Sequence, residues 1–199
     1  MINKRLQDYR IILASRSPRR QYLLKELGMD FEIVETNIQE DYPASLSPDQ
    51  IARFLAEKKA NSFDLSRLPE KTIIIAADTI VSLAGEILGK PENYEEAFAM
   101  LKKLSGQCHD VFTGVCILSR ERKKVLSVGS RVFFKPLLDD EIDYYINNFR
   151  PYDKAGGYGI QEWIGYVGID RIEGSFFNVM GLPVKEVYEE LLKNYSYLC

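Results

Sequence analysis

Apolar residues come in short bursts along this chain, separated by turn and capping chemistry. Arg10-Ile11-Ile12-Leu13-Ala14 reads as a short buried strand over 10–14. After a loop from Ser15 to Pro18, Leu23, Leu24 and Leu27 recur at helical spacing over 19–27, and Gly28 supplies the stop. Residues 31–34 read as the next strand. Strand, loop, helix and strand in succession open an α/β fold. Ser47-Pro48-Asp49-Gln50 joins a capping box to a proline at the first helical position, and predicts a helix to about residue 63. The β-rich, nearly all apolar stretch 72–77 predicts a strand that ends at Asp78. Segments 80–83 and 86–88 around Ala84-Gly85 carry a hairpin signal.

Downstream, 93–104 predicts a helix capped by Asn93, with Glu95 and Glu96 well placed in its first turn. Segments 111–119 and 125–134 predict a long antiparallel pair turned at 120–123. A helix over 139–149, a glycine-rich stretch 155–160, a strand over 167–172 and a closing helix over 183–194 complete the pattern. A βα opening with a long central hairpin implies a mixed sheet, and a break near residue 90 or 135 would separate two lobes.

Composition narrows the class. With 199 residues, 46% hydrophobic and 28% charged, the chain suits one large globular domain or two small lobes sharing a core. Its apolar runs, such as Ile73 to Ala77, are far too short to span a membrane, and the N-terminus has no signal-peptide pattern. Cys108, Cys116 and Cys199 form no paired framework, which favours a reducing compartment and hence the cytoplasm. The net charge of -3 and the lack of a basic stripe argue against a nucleic-acid partner. A polyanionic ligand would have to meet a local cluster of cations.

Such a cluster is present in Ser15-Arg16-Ser17-Pro18-Arg19-Arg20. A loop entering a helix exposes backbone N–H groups that favour an anion, whereas cations in the first turn oppose the helix dipole. A bound phosphate resolves that conflict; the alternative is that Ser17 caps the helix and the arginines are solvated. No G-x-x-x-x-G-K-S/T pattern is present, which argues against a P-loop. Lys59 falls inside the apolar stripe of Ile51, Ala52, Leu55 and Phe63, so it either snorkels or reaches into a cleft. Asp78, at the predicted strand end, is placed to hold a divalent cation, to accept a proton from water or to cap a turn. Glu40 and Asp41 in a loop are ordinarily solvated, and Lys90 sits in a stiff Gly-Lys-Pro turn. The loop Asp153-Lys154-Ala155-Gly156-Gly157-Tyr158-Gly159 allows close backbone approach to a ligand. His109, the only histidine, has no partners for a zinc site, and a structural hydrogen bond is its default role.

Six ordered motifs join these pieces: S-x-S-P-R-R (15–20), A-D-T (77–79), G-K-P (89–91), S-G-Q-x-H-x-V-x-T (105–113), D-K-A-G-x-Y-G-I-Q (153–161) and G-S-x-x-x-V-x-G-L-P (174–183). From about residue 11 to 192 the chain thereby resembles the Maf family of nucleoside triphosphate pyrophosphatases. The resemblance implies a single Maf-type domain over 1–199. Its fold would be α/β, a mixed elongated sheet flanked by helices, with two lobes and a central cleft as in the inosine triphosphate pyrophosphatases. It further implies hydrolysis of a nucleoside triphosphate to monophosphate and pyrophosphate, a divalent cation (Mg²⁺ or Mn²⁺) as cofactor, and a homodimer. Carried over by position, Asp78 matches the proton acceptor; Arg19, Thr79 and Gln161 match the substrate-specificity positions. Ser15, Arg20, Lys59 and Lys90 match phosphate-binding positions, and Glu40, with Asp78, a metal position. A-D-T with G-I-Q is the pattern of the dTTP/UTP branch. Two other readings stay open at this point: a pyrophosphatase for ITP or 7-methyl-GTP, and a non-catalytic nucleotide-binding regulator of cell division.

Overall fold

Fifteen helices and strands, joined by short 3₁₀ turns, make up the described part of the chain. The structure is a computed structural model and describes residues 2–195; Cys199 lies outside the described residues. Seven strands form one mixed sheet in the order β2-β1-β3-β5-β6-β7, with β4 paired to β3. These strands are β1 (Arg10–Leu13), β2 (Glu32–Ile33), β3 (Thr72–Leu83), β4 (Glu86–Leu88), β5 (Cys108–Leu118), β6 (Lys123–Phe134) and β7 (Ile169–Glu173). The mixed α/β class expected from the patterning is the class observed.

The chain forms two compact units, one of residues 2–78, 113–128 and 181–195, the other of 79–112 and 129–180. Strands β3, β5 and β6 each pass from one unit into the other, at 78/79, 112/113 and 128/129. The expected break near residue 90 or 135 is therefore misplaced. Turn residues punctuate those positions, but three of the four changes of unit occur inside continuous strands, where nothing in the local sequence marks them; the fourth, at 180/181, falls at Gly181 after the last helix of the second unit.

In the first unit β1 runs parallel to β2 and to the first part of β3, with Ile12 opposite Ile74. The helix α1 (Ile2–Arg5) precedes β1, and α2 (Pro18–Glu26) makes the crossover to β2. Gly28 follows α2 at φ 71°, the left-handed conformation that a helix stop needs. Helix α3 (Pro48–Asn61) begins at the predicted box: the Gln50 side chain accepts from the Ser47 amide at 3.0 Å. Its inward face, with Ala56 and Ala60, packs on Ile12, Ala14, Ile74, Ala76, Cys116 and Leu118. Each buried Leu or Ile there is worth roughly 1.5–3 kcal/mol over exposure. The small side chains let helix and sheet come close. At Gly114 of β5 a Cβ would lie 2.1 Å from the Ala52 carbonyl oxygen, so only glycine fits.

In the second unit β3 turns into β4 through Ala84 and Gly85, both at positive φ, as a two-residue hairpin requires. Helix α4 (Tyr94–Leu104) is capped by Asn93, whose side chain accepts from the Glu96 amide at 2.9 Å. It packs against α5 (Asp139–Phe149), burying Leu101, Leu104, Ile142 and Ile146. After the glycine-rich turn come α6 (Trp163–Gly168), β7 antiparallel to β6, and α7 (Phe176–Met180). The chain closes in the first unit with α8 (Val184–Tyr195), which meets α1. The expected strand over 167–172 thus begins two residues later, because 163–168 is helical.

Candidate active site

In the first unit, β1 delivers its last residues into a loop at the start of α2. Ser15 is buried, and its Oγ accepts from the Ser17 amide at 3.2 Å and from Arg20 Nη1 at 3.4 Å. Arg20 also donates from Nε to the Gly181 carbonyl at 2.7 Å. Ser17 stands at the N-cap but makes no side-chain cap bond, which removes the alternative in which it simply caps the helix. Arg16 is exposed and ion-paired with Glu35 at 2.7 Å, so it is the solvated member of the run. Arg20 is turned inward instead. Burial lowers its pKa from the ordinary guanidinium value, Asp78 and Glu40 pull the other way, and the like charge of Arg19 adds to the lowering. An arginine keeps its proton under such a shift, so the cost appears as a site that favours a further anion.

Lys59 does not snorkel to solvent; its ammonium is turned to the carboxylates of Asp78 and Glu40. It lies in the last turn of α3, only 9% exposed, and holds Glu40 at 2.7 Å while donating to the buried Asp78 carboxylate. The neighbouring Lys58 takes Asp41 at 2.5 Å. Glu40, from the loop after β2, is therefore tied to the site, while Asp41 faces outward and is exposed.

One expectation about Asp78 is corrected: it does not end a strand. Strand β3 runs through it from Thr72 to Leu83, with Asp78 in the middle and 7% exposed. The apolar alternation resumes at Ile80 and Val81, so backbone pairing carries on, and Lys59 supplies the partner that lets a carboxylate sit inside a strand.

Arg19, Arg20 and Lys59 thus share the first unit with Glu40 and Asp78, three cations against two carboxylates. Among the described residues no three His, Cys, Asp or Glu side chains form a metal-holding group. A complete protein cage is therefore absent there. What is present is a carboxylate pair, the donor set with which proteins commonly hold Mg²⁺ jointly with substrate phosphates and water. Glu40 and Asp78 fit that requirement.

The other expected residues belong to the second unit. Thr79 follows Asp78 in β3 and is half-buried; Lys90 is exposed in the turn after β4. Gln161 follows the glycine-rich turn, in which Gly156 and Gly157 have positive φ and the Gly156 amide donates to the Gly89 carbonyl at 2.9 Å. Beside Gln161 lies a network that patterning did not reveal. Glu162 accepts from Tyr145 OH, from Lys154 Nζ at 3.1 Å and from Gln161 Nε2 at 3.4 Å. Lys154, 7% exposed, also pairs with Asp153 at 2.7 Å. An acid next to Gln161 was the only available signal, and in sequence it looks like an ordinary solvated charge.

His109 takes the default role. It is buried with Nε2 2.7 Å from Tyr158 OH and packs on Phe134. Burial pushes its pKa down to about 4 against the weaker opposing pull of Asp110, so the ring is neutral at pH 7.

A family model described as "Maf-like protein" matches residues 10–194. Among curated proteins, a dTTP/UTP pyrophosphatase of Porphyromonas gingivalis is 52% identical over 188 residues, covering 94% of each chain. One of Parabacteroides distasonis is 50% identical over 94% of this chain and 96% of its own. One of Flavobacterium johnsoniae is 48% identical over 96% and 98%. Among solved structures, a HAM1 protein from Coxiella burnetii matches with a TM-score of 0.52 at 11% identity, over 93% of this chain and 99% of that one. That likeness concerns the fold.

Proposed function

This chain belongs to the Maf-like protein family, and from that premise we propose that it hydrolyses dTTP and UTP to the monophosphate and pyrophosphate. The observation that carries this reading is the Lys59 ammonium held between Asp78 and Glu40 in the unit that also contains Arg20 and Ser15. Relatives about half identical over nearly their whole length bear the name dTTP/UTP pyrophosphatase, which supports the substrate class.

Opening the α–β anhydride of a triphosphate needs neutralised phosphate oxygens and a positioned water. Ser15, Arg19, Arg20 and Lys59 take phosphate oxygens, and Lys90 is assigned the same role from its motif. Asp78 orients the attacking water and accepts its proton, and Lys59 fixes the carboxylate that does so. Glu40 and Asp78 would hold a divalent cation, Mg²⁺ or Mn²⁺, which supplies charge neutralisation when bound. Arg19, besides its phosphate role, is assigned with Thr79 and Gln161 to substrate choice. The free thiols, Cys108 exposed and Cys116 buried, suit action in the cytoplasm, and the family relationship favours a homodimer.

The test is Asp78→Asn. Loss of general-base help lowers kcat by about 10²–10⁴-fold with nucleotide binding retained. Near-normal turnover in a folded Asp78→Asn protein would remove the assignment.

A further inference from the structure

In the second unit, Gln161 Nε2 faces Glu162 Oε1 at 3.4 Å, and Gln161 Oε1 is buried with no hydrogen-bond partner among the described residues. A carboxylate only accepts, so the amide nitrogen must face it; turning the amide over would set oxygen against oxygen. The carbonyl oxygen of Gln161 is then left as an unsatisfied acceptor, which is costly unless a ligand donates to it.

Glu162 is itself held in place. Tyr145 OH donates to Oε2 and Lys154 Nζ reaches Oε1 at 3.1 Å. Tyr145 is anchored in turn, accepting from the Gly159 amide at 2.9 Å. Burial, reinforced by the Glu162 carboxylate, raises the Tyr145 pKa and keeps its proton available for donation. Gly159 clears the space: a Cβ there would lie 2.8 Å from Glu162 Cδ and 2.9 Å from Gln161 Nε2. The Gln161 backbone is tied down as well, its carbonyl accepting from Tyr166 OH at 3.1 Å.

We propose that Glu162, clamped by Tyr145 and Lys154, is a positioning residue that locks Gln161 as a hydrogen-bond acceptor for the ring N–H of a uracil or thymine. This rests on the dTTP/UTP reading above. Among pyrimidines the chemistry is selective. The imide of uracil and thymine presents N3–H as a donor between two carbonyls, whereas N3 of cytosine is itself an acceptor. An acceptor held in one orientation therefore favours UTP over CTP. A freely turning amide would present its N–H₂ to cytosine equally well.

The experiment compares kcat and KM for UTP and CTP in the wild type and in Glu162→Ala, Glu162→Gln, Tyr145→Phe and Gln161→Leu. Glu162→Ala should lower the UTP:CTP ratio of kcat/KM by about tenfold or more, mainly through the KM for UTP. Glu162→Gln retains a carbonyl acceptor and should restore most of the ratio, which a merely structural role would not require. Tyr145→Phe should lower the ratio by a smaller factor, and it carries the test if Glu162→Ala does not fold. An unchanged ratio in folded Glu162→Ala, or in Tyr145→Phe where Glu162→Ala is unfolded, overturns the proposal. So does an equal fall in kcat for both nucleotides at constant KM. A wild type that does not prefer UTP, or a Gln161→Leu protein with an unchanged ratio, instead overturns the base-reading assignment. If Gln161→Leu collapses the ratio while Glu162→Ala spares it, only the role of Glu162 is lost.

Discussion

Replacing Lys59 by methionine removes one charge from a three-member cluster and leaves two carboxylates facing each other. The two pairs are unequal. Lys59 and Asp78 are 11% and 10% exposed in their side chains, while Glu40 is 47% exposed. Water screens the Glu40 pair, which is worth about 1 kcal/mol at most. The Asp78 pair is nearly buried, and stranding one partner of such a pair costs about 3–5 kcal/mol. Against a total stability of roughly 5–15 kcal/mol this is a large loss, with a fall in Tm on the order of 10 °C. Glu40→Gln should cost less than about 1 kcal/mol. Because it is the stranded charge that costs, Lys59→Met/Asp78→Asn should be more stable than Lys59→Met alone. Urea unfolding of wild type, Lys59→Met, Asp78→Asn and Lys59→Met/Asp78→Asn at pH 8, compared at constant m-value and alongside Glu40→Gln, supplies the coupling energy of the Lys59–Asp78 pair. If Glu40→Gln costs as much as Lys59→Met, or if the double variant is the least stable of all, the buried-pair account of this cluster is wrong.

A second prediction concerns pH. The folded pKa of His109, about 4, lies below the ordinary value of 6.5, so between these values the unfolded chain binds a proton that the folded one does not. Stability held at pH 7 is therefore lost as pH falls, by about 2 kcal/mol at pH 5 from this group. His109→Gln should flatten that part of the pH–stability curve measured by urea unfolding, and an unchanged slope would refute the assignment. Third, Gly114→Ala forces a Cβ to 2.1 Å from the Ala52 carbonyl and 2.5 Å from the Arg53 nitrogen, both backbone atoms of α3. It should cost about 3 kcal/mol and also reduce kcat, since α3 carries Lys59. A variant within experimental error of wild type in calorimetry would show that helix and strand do not meet as described.

How much of this was legible beforehand depends on length and on partners. Long periodic elements announce themselves: the pattern predicts α5 over 139–149, the residues it occupies, and the Ser47 box and Asn93 cap start α3 and α4. Short elements do not. Helices α1, α6 and α7 span under two turns, too few for a 3.6-residue period to register. Strand β2 has two paired residues where four were expected, because only Ile12 and Leu13 of β1 offer it partners. At the site, residue types were informative and their partners were not. A lysine on an apolar stripe fits snorkelling as well as a buried pair, and only the fold brings Asp78, nineteen positions away, to Lys59. Asp78 looked like a strand end because an unpaired acid would end one. Nothing in the sequence marks Glu162, because its donors, Tyr145 and Lys154, sit at positions whose own patterning is that of a core aromatic and a loop base.

On the proposed function, the cluster around Lys59 and Asp78 opens a pyrimidine nucleoside triphosphate between its α and β phosphates. Purified protein, given a panel of nucleoside triphosphates with Mg²⁺ while pyrophosphate and orthophosphate are measured separately, tests it most directly. The account predicts one pyrophosphate per monophosphate formed, highest kcat/KM for dTTP and UTP, no direct release of orthophosphate, and loss of turnover when the cation is chelated. Orthophosphate as the first product, a preference for ITP or 7-methyl-GTP, or nucleotide binding without hydrolysis would contradict it.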